Sequence, residues 1–246
     1  MYDDQPRASG ISRFAAALGA LSLLALAATG PLHHSGLVGL TGAVAILQWA
    51  VYGALATVVL AIIGIIIAAR RRIGMSTAMT ALALALIAIA SVGALAWKAS
   101  RLPAIHDITT DTMQPPPFLA VVPLRAGALN PVDYGGPDVA AKQRTAYPDL
   151  GPLLLSVPPG RAFDRALAAA RSLGWELIAS DPAGGRIEAT DTTFWFGFTD
   201  DVVVRVTPLS TGSRVDVRSL SRVGGGDLGA NAARIRKYLA AVKAES

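Results

Sequence analysis

The chain has 246 residues, 52% of them hydrophobic, a net charge of +5 and no cysteine. The missing cysteine excludes disulfides, thiolate metal sites and cysteine nucleophiles. The basic balance does not describe a nucleic-acid surface, because the whole excess lies in the first 102 residues. There Arg7, Arg13, Arg70, Arg71, Arg72, Lys98 and Arg101 stand against Asp3 and Asp4, while residues 103–246 carry 15 basic and 15 acidic side chains. An excess that flanks apolar runs is the signature of membrane topology rather than phosphate binding, so no nucleic-acid partner is expected.

In chain order, the runs Phe14–Leu32, Ala43–Ala69 and Thr77–Trp97 contain no charged residue. Each approaches or exceeds the roughly 20 apolar residues that cross a bilayer, which predicts three transmembrane helices and makes the lipid bilayer the first partner. Gln48, beside Trp49 and one turn from Tyr52, reads as an interfacial belt at the start of the second span rather than a transport site. Gly53 with Thr57, Gly64 with Ala68, and Ala90 with Gly93 are small-residue pairs suited to close packing of the spans on one another. Short-loop arginines set the orientation. Arg7, Arg13 and the Arg70–Arg72 loop are assigned to the cytoplasm, and the Lys/Arg-free loop from Pro31 to Gly42 to the far side. Residues 103–246 are then periplasmic, in a multi-pass protein of a bacterial inner membrane. Ala25, Leu26 and Ala27 resemble a signal-peptide cleavage site, the alternative for the first span. His33 and His34 are too few, and adjacent side chains converge too rarely, to predict a metal site; no cofactor is expected.

Residues 103–150 hold eight of the 15 prolines and read as an extended, proline-rich linker with a short helix over 137–146. From residue 151 to 246 the patterns predict a soluble α+β domain. Leu153–Val157 is a strand. The run from Pro158 to Gly174 is a helix with Phe163, Leu167, Ala170 and Leu173 on one face. Strands follow at "WELIAS", "RIEATDTTFW", "DDVVVRVTPL" and "SRVDVRSLSRV". A last helix begins near Asp227, with Leu228, Ala232, Ile235, Leu239 and Val242 on one stripe. The order β-α-β-β-β-β-α implies an antiparallel, twisted sheet with both helices on one face. By topology alone it is similar to the TATA-binding-protein-like, or helix-grip, class, which says nothing about DNA.

Alternation assigns Ile187, Ala189, Val202, Val204, Val206, Val215 and Val217 to the helix-covered face. Glu188, Thr190, Val203, Arg205, Arg214, Asp216 and Arg218 fall on the other face. That second face is either solvated and laced with cross-strand ion pairs or a polar concave surface for a ligand or partner. The candidate contacts are Thr190, Thr192, Arg205, Asp216, Arg218, Ser219 and Arg222. The glycines at 224–226 precede Asp227, whose carboxylate would occupy a helix N-terminus that could otherwise take an anion. Phe194, Trp195, Phe196 and Phe198 are expected in core or inter-strand packing, with an exposed tip at the membrane interface as the other arrangement. Asp200 and Asp201 point to opposite faces if they lie on a strand. His106, Asp107 and Asp111 in "HDITTD" would be the acid–base groups of a hydrolase. No catalytic residue is assigned.

The stretches "AYPDLGPL", "AFDRALAAARSLGWELI", "GRIEATDTTFWFGFTDDVVVRV" and "GSRVDVRSLSRVGGGDLGANAARIRKYL", together with "HDITTD", resemble domain-of-unknown-function family 1499 of bacteria. The similarity runs from about Pro103 to Leu239, and the three preceding spans resemble a membrane-anchored branch of that family. The resemblance implies a membrane setting and no reaction, cofactor or catalytic residue. The expected function is a membrane-anchored periplasmic accessory or binding module for a lipid, a small anion or a protein of a membrane complex. A membrane-bound hydrolase using acidic and arginine residues is the alternative.

Overall fold

The computed structural model describes residues 8–245, so Asp3, Asp4 and Arg7 of the charge count lie outside the described residues. The described residues divide into two compact units, one of residues 8–98 with 194–197, the other of residues 99–193 with 198–245.

The first unit is built on α1 (Gly10–His34), α2 (Leu40–Arg71) and α3 (Met75–Arg101). All three are long and apolar enough to cross a membrane. At 1.5 Å per residue, α2 alone is about 48 Å long, well beyond a ~30 Å hydrocarbon core. The packing inverts that of a soluble protein. The buried positions are small, among them Ala15 and Gly19 on α1, Ala54, Ala61 and Gly64 on α2, and Ala81 and Ala85 on α3. Large side chains such as Leu24, Ile66 and Ile87 are exposed. Small residues let backbones approach where no water drives apolar side chains inward. A Cβ at Gly19 would lie 3.0 Å from Thr57 Cγ2, and one at Gly64 would lie 2.7 Å from Ser12 Oγ. Gly93, by contrast, faces open space. Thr57 and Thr29 return their hydroxyls to the carbonyls of Gly53 and Ala25, which leaves no polar group unsatisfied at those positions.

The second unit holds an open antiparallel sheet. Its strands are β1 (Asp107–Thr109), β2 (Leu153–Leu155), β3 (Glu176–Asp181), β4 (Arg186–Thr192), β5 (Thr199–Leu209) and β6 (Gly212–Ser221). They lie in the order β1-β6-β5-β4-β3, with β2 also paired to β6. β1 and β2 thus share one edge of β6, β1 at residues 218–220 and β2 at 213–215. Thr110 closes the gap between them: its N–H donates to the Val217 carbonyl and its hydroxyl accepts from Val217 N–H, both at 2.9 Å.

The long helices are α5 (Pro159–Ser172) and α6 (Ala230–Ala244). Both pack on one face, over Ile187, Ala189, Val202, Val204, Val206, Val215 and Val217. Gly174, at φ 76°, stops the chain after α5. Trp175 stacks on Tyr238 of α6 at 4.7 Å between ring centroids, and Tyr238 donates its hydroxyl to the Ala166 carbonyl. The last helix starts later than its sequence pattern suggests. Leu228 takes φ 52° and Gly229 φ 80°, so Leu228 precedes the helix instead of joining its stripe. Tyr238 takes the buried place.

Two expectations change. Residues 103–150 hold the expected short helix as α4 (Gly136–Ala146), but the remainder is not extended throughout: it also carries β1 and a 3-10 turn (Val122–Arg125). The prolines end and start these short elements, and "HDITTD" finds a free edge of β6. The aromatic run does not enter the core of the sheet. β4 ends at Thr192, Phe194 is 89% exposed, and Trp195 is also exposed. A left-handed Gly197 (φ 69°) makes the run a turn, which throws these side chains outward.

Candidate functional site

The second face of the sheet is largely covered and is not an open groove. The irregular segment from Asp111 to Tyr134 lies over it as a strap. Phe118 and Val121 of the strap pack with Val203 and Leu220, and Val132 and Ile178 flank them. An irregular strap brings backbone N–H and C=O groups that have no ladder partner. The charged side chains of the face meet them.

Glu188 is fully buried, and its carboxylate accepts from the N–H of Leu119 at 3.0 Å and of Val121 at 3.0 Å. Arg186 Nε lies 3.2 Å from the same carboxylate, without the angle of a hydrogen bond. Arg218 grips Asp107 with two bonds of 2.9 and 2.7 Å and donates to the carbonyls of Pro116 and Val132. Its guanidinium also lies 4.8 Å from the Phe118 ring centroid and 5.6 Å from that of Tyr134. Burial raises the Asp107 carboxyl above its ordinary range, against the pull of Arg218. Burial, with the Asp107 charge, pushes the Tyr134 hydroxyl up to about 12. Further along the strap, Asp201 binds both Arg125 and Arg222. Those arginines donate in turn to the carbonyls of Asn130 and Leu124.

A further cluster joins two partly exposed arginines to two aspartates. Arg205 and Asp216 are direct partners on β5 and β6, 3.0 Å apart. Arg214 holds the same Asp216 through Nε at 2.8 Å, and Thr110 donates its hydroxyl to it. Both arginines also reach Oδ2 of Asp111, at 3.0 and 2.9 Å. Asp111 uses its other oxygen to cap the N–H groups of Met113 and Gln114. Burial opposes ionisation of Asp111, yet the Gln114 and Met113 N–H groups and the two arginines hold its pKa below the usual carboxylate value. The arginine side chains remain 27% and 33% exposed, so this neutral group of two arginines and two aspartates is open on one side.

The seven candidate residues therefore separate. Arg205 and Asp216 meet in the open cluster. Arg218 is buried with Asp107, and Arg222 belongs with Asp201. Thr190 is buried and donates to Glu176, while Thr192 is exposed beside Thr199. Ser219 is on the opposite, helix-covered face. There it donates to Asn231 Oδ1 at 2.6 Å, and Arg234 binds Ser219, Asn231, Asp191 and Asp200. Asp200 and Asp201 indeed diverge, one to each face. Asp227 satisfies the start of α6 itself, accepting from Gly229 and Asn231 N–H groups at 3.0 and 2.6 Å, so no vacant anion cradle follows the glycines. Arg214 and Arg125 were not singled out by sequence. Arg214 alternates with Asp216 and could have been; nothing local to Arg125 points to Asp201, 76 residues away.

Among the described residues, no group of three or more His, Asp or Glu side chains is arranged to hold a metal ion. No curated protein matches the chain. Among solved structures, that of protein CV1439 from Chromobacterium violaceum is similar at 16% identity, over 38% of this chain and 92% of that one, with a TM-score of 0.26. The model of a family of proteins of unknown function, DUF1499, matches residues 107–242, the span from β1 into α6 that includes the strap and both faces of the sheet. The chain belongs to the DUF1499 family.

Proposed function

We propose that the protein is a membrane-anchored binding module whose folded domain, on the periplasmic side of a bacterial inner membrane, takes an anionic group at Arg205 and Arg214. The observation that carries this reading is the shared Asp111 carboxylate. Two partly exposed guanidinium groups on adjacent strands already hold one carboxylate supplied by a strap. Arginine pairs of this kind suit carboxylate and phosphate geometry. An incoming anion would compete with Asp111 for them. The side assignment rests on Arg13 and the three adjacent arginines Arg70–Arg72 at one end of the spans, which outweigh Lys98 and Arg101 at the other, where the turn of residues 35–39 is uncharged.

Native mass spectrometry of the full-length protein, released from its own membrane in mild detergent, tests the site. A co-purified acidic molecule that disappears in the Arg205→Gln/Arg214→Gln variant is the expected result. Retention in that variant removes the cluster from consideration. A stoichiometric protein companion instead makes the chain an accessory subunit. Arg218 is not a useful probe of binding, because its loss would strand Asp107 in the interior. For the side, an impermeant maleimide should label an Asp133→Cys variant in intact spheroplasts; protection until lysis would reverse the orientation.

The hydrolase alternative requires His106, Asp107 and Asp111 to act on one substrate. Asp107 is taken by Arg218, and Asp111 by Arg205 and Arg214. The binding reading is preferred for that reason.

A further inference from the structure

The turn between β4 and β5 carries Phe194, Trp195 and Phe196, which the anion-binding cluster does not use. Residues 194–197 group with the three long apolar helices in the first compact unit. Within that unit they meet the last turn of α1. Gly30 leaves room for the Trp195 indole, which a Cβ there would strike. His34 Nδ1–H donates to the Phe194 carbonyl at 2.9 Å, and the His33 and Phe196 rings lie 6.4 Å apart. Phe194 points away from these contacts and is 89% exposed, and Trp195 keeps 46% of its surface open.

These contacts fix a depth. Gly30 lies one turn, about 6 Å, below the end of α1 at His34. A second marker agrees. A Cβ at Gly53 would strike Ser22 and one at Gly64 would strike Ser12, a register that puts the Trp49/Tyr52 pair level with residues 24–27 of α1, some five positions before Gly30. Trp195 is then about 7 Å closer to the helix end than the aromatic belt of α2. The interfacial zone on each side of a bilayer is of that thickness, and aromatic rings with a polar handle concentrate there.

We infer that Phe194 and Trp195 form a membrane-interface anchor, an aromatic wedge that enters the headgroup and upper acyl region of the bilayer beside the outer end of α1. The inference rests on the spans crossing a bilayer. The occupant of the exposed aromatic surface is lipid, because Phe194 and Trp195 stand exposed at the end of a helix long and apolar enough to cross a membrane.

The cysteine-free chain allows a direct test. Single cysteines at Phe194→Cys, Ile63→Cys in mid-span and Leu154→Cys on β2 are spin-labelled in the full-length protein. All three replace exposed side chains. The protein is reconstituted in vesicles of phosphatidylcholine and phosphatidylglycerol, and collision with oxygen is compared with collision with a water-soluble nickel chelate. The expected result is an oxygen-to-nickel accessibility ratio at 194 several-fold above that at 154 and below that at 63. A ratio at 194 equal to that at 154 places the tip in water and overturns the inference. Exclusion of both probes at 194 means that protein covers it, and overturns it too. If the label at 63 is itself open to the chelate, the spans do not cross the bilayer and both readings fall.

Discussion

The two faces of the sheet carry alternate residues of the same strands, yet they are covered in opposite ways. On one face, two helices satisfy their own backbone and cover it mainly through apolar contact with Ile187, Val202, Val204 and Val217, with one buried polar group of Ser219, Asn231, Arg234 and Asp200. On the other, an irregular strap arrives with unpaired N–H and C=O groups, and the sheet answers with Glu188, Arg218 and Arg222. Buried charge here is the consequence of covering a sheet with a loop, since a buried backbone group without a partner costs roughly 1–3 kcal/mol. The ion pairs are the cladding's fixings, and the Arg205/Arg214 group is one that retains an open side.

The comparison is broken most severely by removing one fixing. Arg218→Met leaves the buried Asp107 carboxylate and the Pro116 and Val132 carbonyls without their donor. A loss of about 3–5 kcal/mol is expected, read as the shift in chemical unfolding of the full-length protein in detergent. A loss below about 1 kcal/mol would show that the strap does not depend on this pair.

Glu188→Gln is the sharper test, because it keeps the shape and removes the charge. It should cost about 1–3 kcal/mol. Amide exchange should accelerate first at Leu119 and Val121, while the helix-covered face stays protected. Uniform acceleration would mean that strap and sheet open together. On the apolar face, Ile187→Val removes one methylene and should cost about 0.5–1.5 kcal/mol with no local signature in the strap.

The smallest effect is a pH dependence. Asp111 has its folded pKa depressed, so it contributes stability that is present above the unfolded value, about 3.9, and lost as pH falls through the folded one. Asp111→Asn should lower the melting temperature at pH 7 slightly and flatten its fall below about pH 4. An unchanged acid limb would show that Asp111 is not the carboxylate the arginines hold in solution.

Sequence reading reached a good part of this. Charge-free runs identified the three long helices, because a hydrocarbon environment demands such runs. Period-two alternation assigned Ile187, Val204 and Val217 to one face and Glu188, Arg205 and Asp216 to the other, because a strand has no freedom in that choice. The Arg205–Asp216 pair was legible from opposite charges on neighbouring strands. The candidate set nonetheless mixes residues from six separate places: only Arg205 and Asp216 share a cluster. Ser219 was placed with Arg218 although adjacent strand residues point apart, and Arg214 was passed over.

What the sequence determined by itself was therefore local: the spans, the strand faces, the glycine stop after α5, and an aspartate carboxylate at the approach to the last helix. Each depends on residues a few positions apart. Only the tertiary structure decided that residues 103–150 contribute an edge strand and a strap, that Arg125 meets Asp201, and that the aromatic turn leaves the core of the sheet. Those outcomes depend on contacts between residues 67 to 160 positions apart. No periodicity records such contacts, because a buried charge or an exposed ring is set by what the fold brings against it.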